Sequence, residues 1–369
     1  MSSRDYTSTG ISPGLSVPAL LDGCSPDDPV PVSLYSDPAA FVLEQRLIFD
    51  RAWQYVARLD DLRQPGDYVA AQVGHLPVLV TRGKDEKLRA FVNVCRHRLH
   101  PVASGSGNRK TLQCPYHAWT YDLDGRLRAA PRGKTELGDE VNEICLRELS
   151  VDTWSEFVLV NPDPHAEPLA DALGGIPELA AQNGFAPENY EYATRLEYEV
   201  DVNWKLWAEN ALECYHCPVA HQTSFASLYK VDEESYQLRN FDTALAQTTR
   251  LRENGDADGP PDFQFYFLWP TSGFAQGPYS ATASRITPLS VDKTRFTFDI
   301  YRRPDVDESL LMEWKELQDQ TFREDEQLVL AQKIGYDSGL IPNARVMESS
   351  ESSVRAFQRR TMRALLAGP

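Results

Sequence analysis

Residues 95–117 read CRHRLHPVASGSGNRKTLQCPYH, and this stretch decides the fold class. It holds two short pairs, Cys95-x-His97 and Cys114-x-x-His117, joined by a segment that contains several Gly and Ser residues. Two Cys and two His can bind a tetrahedral zinc ion, or a two-iron, two-sulfur cluster with Cys on one iron and His on the other. Zinc fingers usually group their Cys together and their His together, so the mixed pairs favour the cluster.

Strand-like segments surround these two pairs. Between residues 67 and 162, runs such as YVAAQV, LPVLVTR and EFVLVNP alternate with the turn signals RGKD and LDGR. Short strands separated by turns are typical of a small all-β domain. We therefore expect a β domain over residues 51–165, preceded by an N-terminal arm and helix, residues 1–50, that pack on the second domain.

The remaining residues, 166–369, predict a domain of a different kind. RLEYEVDVNWKL alternates apolar residues as a strand does, and FQFYFLWP and SVDKTRFTFDIY continue the strand pattern. Two helical segments follow, roughly over residues 307–335 and 350–366. An antiparallel sheet packed against long helices, joined to a β domain, predicts an α+β protein.

Composition narrows the range of partners. The chain has 37 basic and 54 acidic residues, a net charge of −17, which disfavours nucleic acid and anionic membranes as partners. No apolar run reaches the length of a membrane span, and the first residues lack the features of a signal peptide. We expect a cytoplasmic protein without a nucleic-acid or membrane partner, whose six Cys residues do not form a disulfide framework.

A second candidate site lies at residues 209–221, ENALECYHCPVAH. Glu213 and His216 are spaced to share one face of a helix, whereas His221 falls about 140° further round an ideal helix than His216. Pro218 removes a backbone donor and disfavours helical geometry at the preceding residue. We expect a break in the helix at Pro218 that brings His221 towards His216, so that two imidazoles can bind one metal ion.

A third ligand is predicted on a late helix, LLMEWKELQDQTFREDEQLVLAQ. Its apolar residues cluster on one side at 100° per residue, and Asp325 lies within that stripe, whereas Glu324 and Glu326 lie on its flanks. A carboxylate in a buried stripe needs a partner. Two His and one carboxylate, with open positions, are the ligands of iron(II) in enzymes that activate O₂. The alternative is an aspartate on a solvated acidic face.

The segments CRHR, CPYHAWTYDLDG and NWKLWAENALECYHCPVAH together resemble the Rieske non-haem iron oxygenases, in particular the branch that oxidises betaine- and carnitine-type amines. The resemblance covers about residues 35–352. It implies a β domain that binds a Rieske [2Fe-2S] cluster through the four Cys and His of residues 95–117, and a helix-grip (START/SRPBCC-like) catalytic domain. It also implies a mononuclear iron(II) bound by His216, His221 and Asp325, with O₂ as co-substrate.

Two residues beside the cluster motifs depart from the family pattern. The family usually has Gly where this chain has Leu99 and Ala118. Gly adopts positive φ without the penalty that a Cβ brings. We therefore expect a local rearrangement of the loops at these two positions, with cluster binding retained.

Glu213 has a separate expected role. In the family, an acid at this position links His216 to the second cluster histidine, His117, of a neighbouring subunit, since a metal-bound imidazole donates its free N–H to a carboxylate. The resemblance thus implies a head-to-tail homotrimer; the alternative for Glu213 is a helix-surface acid. Glu209 and Asn210, one turn earlier, are expected either behind the metal ligands or on a solvated helix face.

The resemblance implies the terminal oxygenase of a system in which a separate NAD(P)H-dependent reductase or ferredoxin supplies electrons. The expected reaction is hydroxylation or N-demethylation of a small organic substrate. Phe265, Phe267 and Trp269 could share a strand face near the iron and bind an ammonium group by cation–π attraction, although alternating aromatic residues also suit a core. The alternatives are hydroxylation or cis-dihydroxylation of an aromatic ring, and a non-catalytic Rieske electron carrier or zinc module.

Cys214 and Cys217 complete the motif. In the family these positions are not metal ligands, and on a helix they would lie off the face of Glu213 and His216. We expect them to pack in the core. A redox pair is the alternative.

Overall fold

The computed structural model describes residues 21–253 and 259–368, so the first twenty residues of the predicted arm lie outside the described residues. Its seventeen strands form two seven-stranded antiparallel sheets and one three-stranded sheet within that part of the chain. Nine α-helices in the same part are numbered in chain order below. The expected α+β class is confirmed.

The first half of the chain is mainly β structure. The larger sheet has the order β1-β10-β9-β4-β3-β2-β5 and the smaller one β6-β7-β8. The strands are β1 Gln54–Arg58, β2 Asp67–Val73, β3 Leu76–Arg82, β4 Leu88–Val92, β5 Ser106–Asn108, β6 Leu112–Gln113, β7 Thr120–Tyr121, β8 Leu127–Ala129, β9 Glu148–Trp154 and β10 Phe157–Asn161. Two helices belong to this half, α1 Pro38–Leu47 and α2 Gly133–Leu137, with 3₁₀ turns at Val32–Tyr35, Phe49–Arg51, Leu59–Leu62 and Gly138–Glu143.

The second half packs helices against one long sheet. Its strand order is β11-β17-β16-β15-β14-β13-β12, with β11 Glu191–Val200, β12 Gln237–Asn240, β13 Ala244–Thr249, β14 Phe263–Leu268, β15 Ser272–Gln276, β16 Ser280–Ser290 and β17 Lys293–Arg302. The helices are α3 Leu169–Leu173, α4 Ile176–Gln182, α5 Trp204–Ala211, α6 Cys217–Ala220, α7 Phe225–Leu228, α8 Glu308–Asp337 and α9 Ser352–Leu366, with a 3₁₀ turn at Pro187–Asn189.

The two faces of this long sheet have different neighbours. Alternate side chains on a strand point to opposite faces, so Phe296 and Phe298 of β17 face the helices, where both pack against Phe322 of α8. Asp299, the residue after Phe298, faces the first half of the chain. It accepts a hydrogen bond from Tyr55 Oη of β1 at 2.7 Å. The sheet therefore separates an aromatic interior under the helices from a polar contact between the two halves.

A buried ion pair joins the N-terminal helix to the second half. Lys205 of α5 and Glu44 of α1 are both fully buried and form a salt bridge. Lys205 also donates to the Leu34 carbonyl at 2.9 Å, and Trp204 Nε1 donates to the second Glu44 oxygen at 2.8 Å. Buried charges need such complete pairing, so this network fixes α1 against α5.

The segment from Glu213 to His216 differs from the expected helix. Helix α5 ends at Ala211, and α6 begins only at Cys217, so Glu213 and His216 lie on the link between two helices. Pro218 stands in the first turn of α6, where its missing N–H has no intrahelical acceptor to lose. The prediction of one helix broken at Pro218 is therefore wrong, because a new helix starts there.

No described helix is long and apolar enough to cross a membrane.

Candidate metal centres and active site

The first Cys/His loop is closed by its own backbone. The Cys95 N–H donates to the His100 carbonyl at 2.8 Å, and the Leu99 N–H donates to the Cys95 carbonyl at 3.0 Å. Leu99 has φ +59°, and its side chain is 74% exposed. The expected rearrangement is therefore wrong at this position, since Leu99 adopts the left-handed conformation that a Gly would take.

The second loop repeats that geometry. The Cys114 N–H donates to the Trp119 carbonyl at 2.8 Å, the Ala118 N–H donates to the Cys114 carbonyl at 3.0 Å, and Ala118 has φ +57°. Here too the backbone keeps the shape that favours Gly. Because the left-handed conformation costs an L-residue about 1–2 kcal/mol, the rest of each loop must hold it in place.

The four predicted cluster ligands divide into two kinds of environment. Cys95 and Cys114 are 1% exposed in a hydrophobic cluster, whereas the rings of His97 and His117 are at the surface with centroids 4.7 Å apart. Tyr121 Oη lies 3.3 Å from Cys95 Sγ. Two buried sulfurs and two exposed imidazoles fit a [2Fe-2S] cluster whose His-bound iron lies nearer the surface.

Glu213 orients His216 from behind. Its Oε1 forms a short hydrogen bond with His216 Nδ1, and its Oε2 accepts from the backbone N–H groups of Tyr215 and His216. A carboxylate at Nδ1 favours the tautomer with the proton on that nitrogen, which leaves Nε2 free to bind a metal. Glu213 is thus buried on the link and is not a helix-surface acid.

Glu324 orients His221 in the same way, and the sequence reasoning missed this role. Its Oε2 lies 2.8 Å from His221 Nδ1 and also accepts from Ser224 Oγ, while its Oε1 accepts from Gln320 Nε2 at 2.8 Å. The sequence signal was a second carboxylate next to Asp325, which the apolar stripe placed on a flank. The structure shows that the flank position faces His221.

The free nitrogens and one carboxylate oxygen converge on a single point. His216 Nε2 lies 3.2 Å from His221 Nε2, and Asp325 Oδ1 lies 3.4 and 3.1 Å from these two atoms. Two imidazole nitrogens so close together need a proton or a metal ion between them. The three donor atoms therefore fit a mononuclear iron bound by two His and one carboxylate.

The charges of these groups agree with a bound cation. Burial alone would lower the pKa of His216, but its hydrogen bonds to Asp325 and Glu213 raise the pKa to about 9. Burial would raise the pKa of Asp325, but hydrogen bonds from both imidazoles lower it. The carboxylates thus favour positive charge at the place where the three donor atoms meet.

Cys214 and Cys217 are buried in a small hydrophobic cluster, as expected, and they are also joined by a disulfide. Their Cα atoms are 4.9 Å apart, within the range that a disulfide bridges. One donor atom each from Cys217, His216 and His221 lie within 4.8 Å of one another.

An aromatic cavity of about 230 Å³ opens beside these donor atoms. Glu213, Asp325 and Asn210 are among its polar lining residues. Eleven of the lining side chains are aromatic: Tyr198, Trp207, Phe225, Tyr236, Phe263, Phe265, Phe267, Phe296, Phe298, Trp314 and Phe322. The cavity can hold a small molecule against the metal centre.

Arg285 is the one Arg or Lys among the described residues that line the cavity, and its guanidinium lies on the other side of the sheet. Ser284 Oγ donates to the Gly273 carbonyl on the cavity side of β16, so the next side chain points to the opposite face. There Arg285 Nη1 donates to the Tyr55 carbonyl at 3.4 Å. The carboxylates of Glu213 and Asp325 therefore lie at the cavity without an Arg or Lys partner on its described wall.

Trp269 does not line the cavity, and this prediction is wrong. Strand β14 ends at Leu268 and the chain turns at Trp269–Pro270, so the indole leaves the strand face that Phe265 and Phe267 share. Its Nε1 instead donates to Thr361 Oγ1 of α9 at 3.3 Å.

Glu209 takes neither of its expected positions. It is 7% exposed, and it accepts hydrogen bonds from Tyr35 Oη at 2.5 Å and from Gln358 Nε2 at 3.1 Å. These partners belong to the N-terminal 3₁₀ turn and to α9, so Glu209 joins three parts of the fold. Its neighbour Asn210 faces the cavity.

Two family descriptions match the chain. Residues 52–149 match the Rieske [2Fe-2S] domain, and residues 187–367 match the ring hydroxylating alpha subunit (catalytic domain). Among curated relatives, the carnitine monooxygenase oxygenase subunit of Acinetobacter baumannii is 34% identical over 295 residues, 77% of this chain and 79% of that protein. The chloroplastic choline monooxygenase of Spinacia oleracea is 29% identical over 343 residues, 89% and 76% of the two chains.

Solved structures show the same architecture. The quaternary ammonium Rieske monooxygenase CntA in complex with L-carnitine superposes with a TM-score of 0.79 at 30% identity, covering 92% of this chain and 97% of that chain. Naphthalene 1,2-dioxygenase from Rhodococcus sp. superposes with a TM-score of 0.75 at 20% identity, over 92% and 94% of the two chains. The second likeness concerns the fold alone.

Proposed function

The chain belongs to the Rieske non-haem iron oxygenase alpha subunits, and from that premise we propose that it is a monooxygenase acting on a small substrate with an N-methylated ammonium group. It is an oxygenase by family, so the electron-carrier and zinc-module alternatives are wrong. The expected reaction is hydroxylation of an sp³ carbon next to the nitrogen, which releases an N-methyl group as formaldehyde, or hydroxylation elsewhere on the same chain.

The observation that carries this proposal is the lining of the cavity. A cation–π contact with an aromatic ring stabilises a bound cation by about 0.5–2 kcal/mol. The carboxylates of Glu213 and Asp325 at the metal end also favour positive charge. An anionic aromatic acid would meet those carboxylates without an Arg or Lys partner on the described wall, because the Arg285 guanidinium lies on the other face of the sheet. The names of the relatives, carnitine and choline monooxygenases, support the same substrate class.

When bound, the family's cofactors would supply the redox chemistry: single electrons from the cluster and O₂ activation at the mononuclear iron. The protein's own residues hold those groups and orient the substrate. Glu213 and Glu324 each keep a proton on Nδ1 of their imidazole, so both Nε2 atoms face the cavity. The aromatic walls would exclude water and hold the ammonium group beside His216, His221 and Asp325.

A substrate panel with purified oxygenase and a surrogate reductase tests the substrate class. Choline, glycine betaine and carnitine are expected to give formaldehyde or an aldehyde, whereas benzoate gives no diol or phenol. The neutral isostere 3,3-dimethylbutanol isolates the charge: Phe265→Leu is expected to raise the KM for the ammonium substrate by about 2- to 30-fold and to leave that for the isostere nearly unchanged. Diol formation from an aromatic substrate would overturn this proposal in favour of ring oxidation.

We also propose that the chain works as a head-to-tail homotrimer in which Glu213 connects His216 to the partner subunit's His117. Exposed apolar side chains flank both ends of that connection, which supports a subunit contact there. Leu99 and Tyr116, 74% and 50% exposed, lie beside the cluster loops, and Tyr215 and Val219, 58% and 79% exposed, lie beside His216.

Mixed subunits test both parts of this assembly proposal. Glu213→Gln retains the cluster but loses the connecting acid, and His117→Ala retains the acid but loses a cluster ligand. Each variant alone is expected to keep at most about a tenth of the activity, whereas trimers reassembled from both are expected to recover activity, because one subunit's cluster then faces the other's Glu213. A mixture that stays inactive while light scattering shows mixed trimers would contradict electron transfer between subunits.

We further propose a separate NAD(P)H-dependent reductase or ferredoxin as electron donor and a cytoplasmic location. The description of the bacterial relatives as oxygenase subunits supports a separate partner, and the net charge of −17 suits a soluble compartment. From the strand and helix patterns of the sequence we also propose three parts of the chain: residues 1–50, 51–165 and 166–369. NADH oxidation by the purified chain alone, without added reductase, would contradict the partner proposal.

A further inference from the structure

The disulfide between Cys214 and Cys217 lies beside the metal-binding atoms. Both residues are buried, and both line the aromatic cavity. The Cys217 sulfur and one donor nitrogen each of His216 and His221 lie within 4.8 Å of one another. A sulfur atom is therefore within reach of the two imidazoles that hold the metal.

We propose that this disulfide controls which metal the centre binds. In the disulfide form, the Cys217 sulfur is bonded to Cys214 and cannot act as a thiolate, so two imidazoles and Asp325 remain, a set suited to iron(II). In the dithiol form, Cys217 adds a thiolate to the same centre. Two imidazoles, a thiolate and a carboxylate suit tetrahedral zinc, which leaves no open position for O₂.

The local backbone places Cys217 so that its side chain needs only a small movement to reach the metal centre. Cys217 begins α6 and His221 follows it by one helical turn, a spacing that places both side chains on one face. Tetrahedral zinc holds sulfur and nitrogen ligands about 3.5 Å apart, given Zn–S and Zn–N bonds of about 2.3 and 2.0 Å. Rotation of the freed Cys217 side chain can cover the difference from the present spacing, without a change in the helix.

The chemical step is thiol–disulfide exchange. A dithiol reductant transfers two electrons and two protons to the Cys214–Cys217 bond, the bond breaks into two thiols, and the reductant becomes a disulfide. Zinc binding then releases the proton of the Cys217 thiol. The proposal rests on His216, His221 and Asp325 as the metal centre, and it does not depend on the identity of the substrate.

Two serine variants separate this role from a structural one. Cys214→Ser and Cys217→Ser both remove the disulfide, but only Cys214→Ser leaves a thiol at position 217. The mononuclear iron is removed from the holoenzyme by mild chelation with the cluster retained, zinc is added, and the zinc K-edge X-ray absorption is measured. We expect a sulfur ligand at about 2.3 Å in Cys214→Ser without reductant, in the wild type only after reduction, and never in Cys217→Ser.

Zinc titration gives a second readout. The zinc affinity of Cys214→Ser is expected to exceed that of Cys217→Ser by at least about 10-fold, because only Cys214→Ser retains the thiolate ligand at position 217. Cys145→Ser, at an exposed cysteine away from the centre, should match the wild type. The proposal is overturned if the two serine variants bind zinc alike, or if no sulfur ligand is found in Cys214→Ser while its Rieske EPR signal is intact. Failure of the amine substrates would not change these results.

Discussion

Glu324 and Asp325 are consecutive residues of α8, yet they contact opposite nitrogens of one imidazole. Glu324 Oε2 lies 2.8 Å from His221 Nδ1, and Asp325 Oδ1 lies 3.1 Å from His221 Nε2. Neighbouring side chains on a helix diverge by about 100°, which is wide enough to take the ring between them. Glu324 orients the ring, and Asp325 lies on the side where the metal is proposed to bind.

Removal of the orienting carboxylate should weaken metal binding. Glu324→Gln is expected to lower iron affinity by about 10- to 100-fold, because the hydrogen-bond partner of a ligating imidazole contributes about that much. Equilibrium binding of iron(II) or cobalt(II) measures the loss. Glu316→Gln, at an exposed position two turns earlier on the same helix, is the matched control. Equal affinities in the two variants would contradict the role of Glu324.

Glu213→Gln should separate electron transfer from metal binding. At iron(II) concentrations that saturate the mononuclear site, the variant is expected to hold both metal centres, while reoxidation of the cluster by the mononuclear site slows by about 10- to 100-fold, the usual effect of losing such a partner. Stopped-flow absorbance of the reduced cluster, mixed with O₂ and substrate, measures this rate. Unchanged reoxidation with full iron content would show that the acid does not connect the centres.

Glycine at the left-handed positions should stabilise the β domain. Leu99→Gly and Ala118→Gly each remove a Cβ at φ near +60°, and we expect about 1 kcal/mol of added stability for each. Thermal loss of the cluster's visible absorbance measures the change. Ala129→Gly, in strand β8 of the same domain, is the control and should lose about 0.5–1 kcal/mol. A loss at all three positions would mean that the loops hold no such strain.

The buried ion pair should be costly to break from one side. Lys205→Met leaves Glu44 charged and unpaired in the interior, and we expect a loss of about 3–5 kcal/mol. The double variant Lys205→Met with Glu44→Leu should recover most of that loss. Lys293→Met, which removes an exposed pair with Glu199, should change the free energy of unfolding by no more than about 1 kcal/mol. Urea unfolding compares the three.

Glu209 should make stability depend on pH. Burial raises the pKa of Glu209 from 4.5 to about 7, so the folded state binds its proton more tightly than the unfolded state. Its contribution is fully present below pH 4.5 and is lost as the pH rises towards 7, by up to about 3 kcal/mol. The difference in free energy of unfolding between wild type and Glu209→Gln should fall by that amount between pH 4.5 and pH 8. A constant difference would contradict the raised pKa.

The fold class and the candidate ligands could be predicted from the sequence because both predictions depend on local spacing. The mixed Cys/His pairs and the α+β pattern needed no tertiary information, and the family and its cofactors are confirmed by the comparisons. Asp325 could be identified as a candidate from the sequence because a charged residue inside an apolar stripe is unusual. Helical periodicity predicted the contact of Glu213 with His216 for the wrong reason, since the two lie on a link and not on a helix.

The errors lie where tertiary structure overrides local preference. Leu99 and Ala118 keep a backbone conformation that their own side chains disfavour, because the surrounding hydrogen bonds determine it. Trp269 leaves its strand because the chain turns at Pro270. Glu324 looked like a surface acid, since no periodicity in α8 reveals that His221 approaches from another element.

Helix α8 carries both a wall of the cavity and Asp325, the proposed carboxylate ligand of the metal. Phe322 packs on Tyr198 with ring centroids 4.0 Å apart and lines the cavity, and Asp325 follows it by less than one turn on the same rigid rod. A guest too large for the space would push on the aromatic ring and displace the carboxylate with it. The size of the bound molecule can therefore change the position of Asp325 through helix α8, before any reaction takes place.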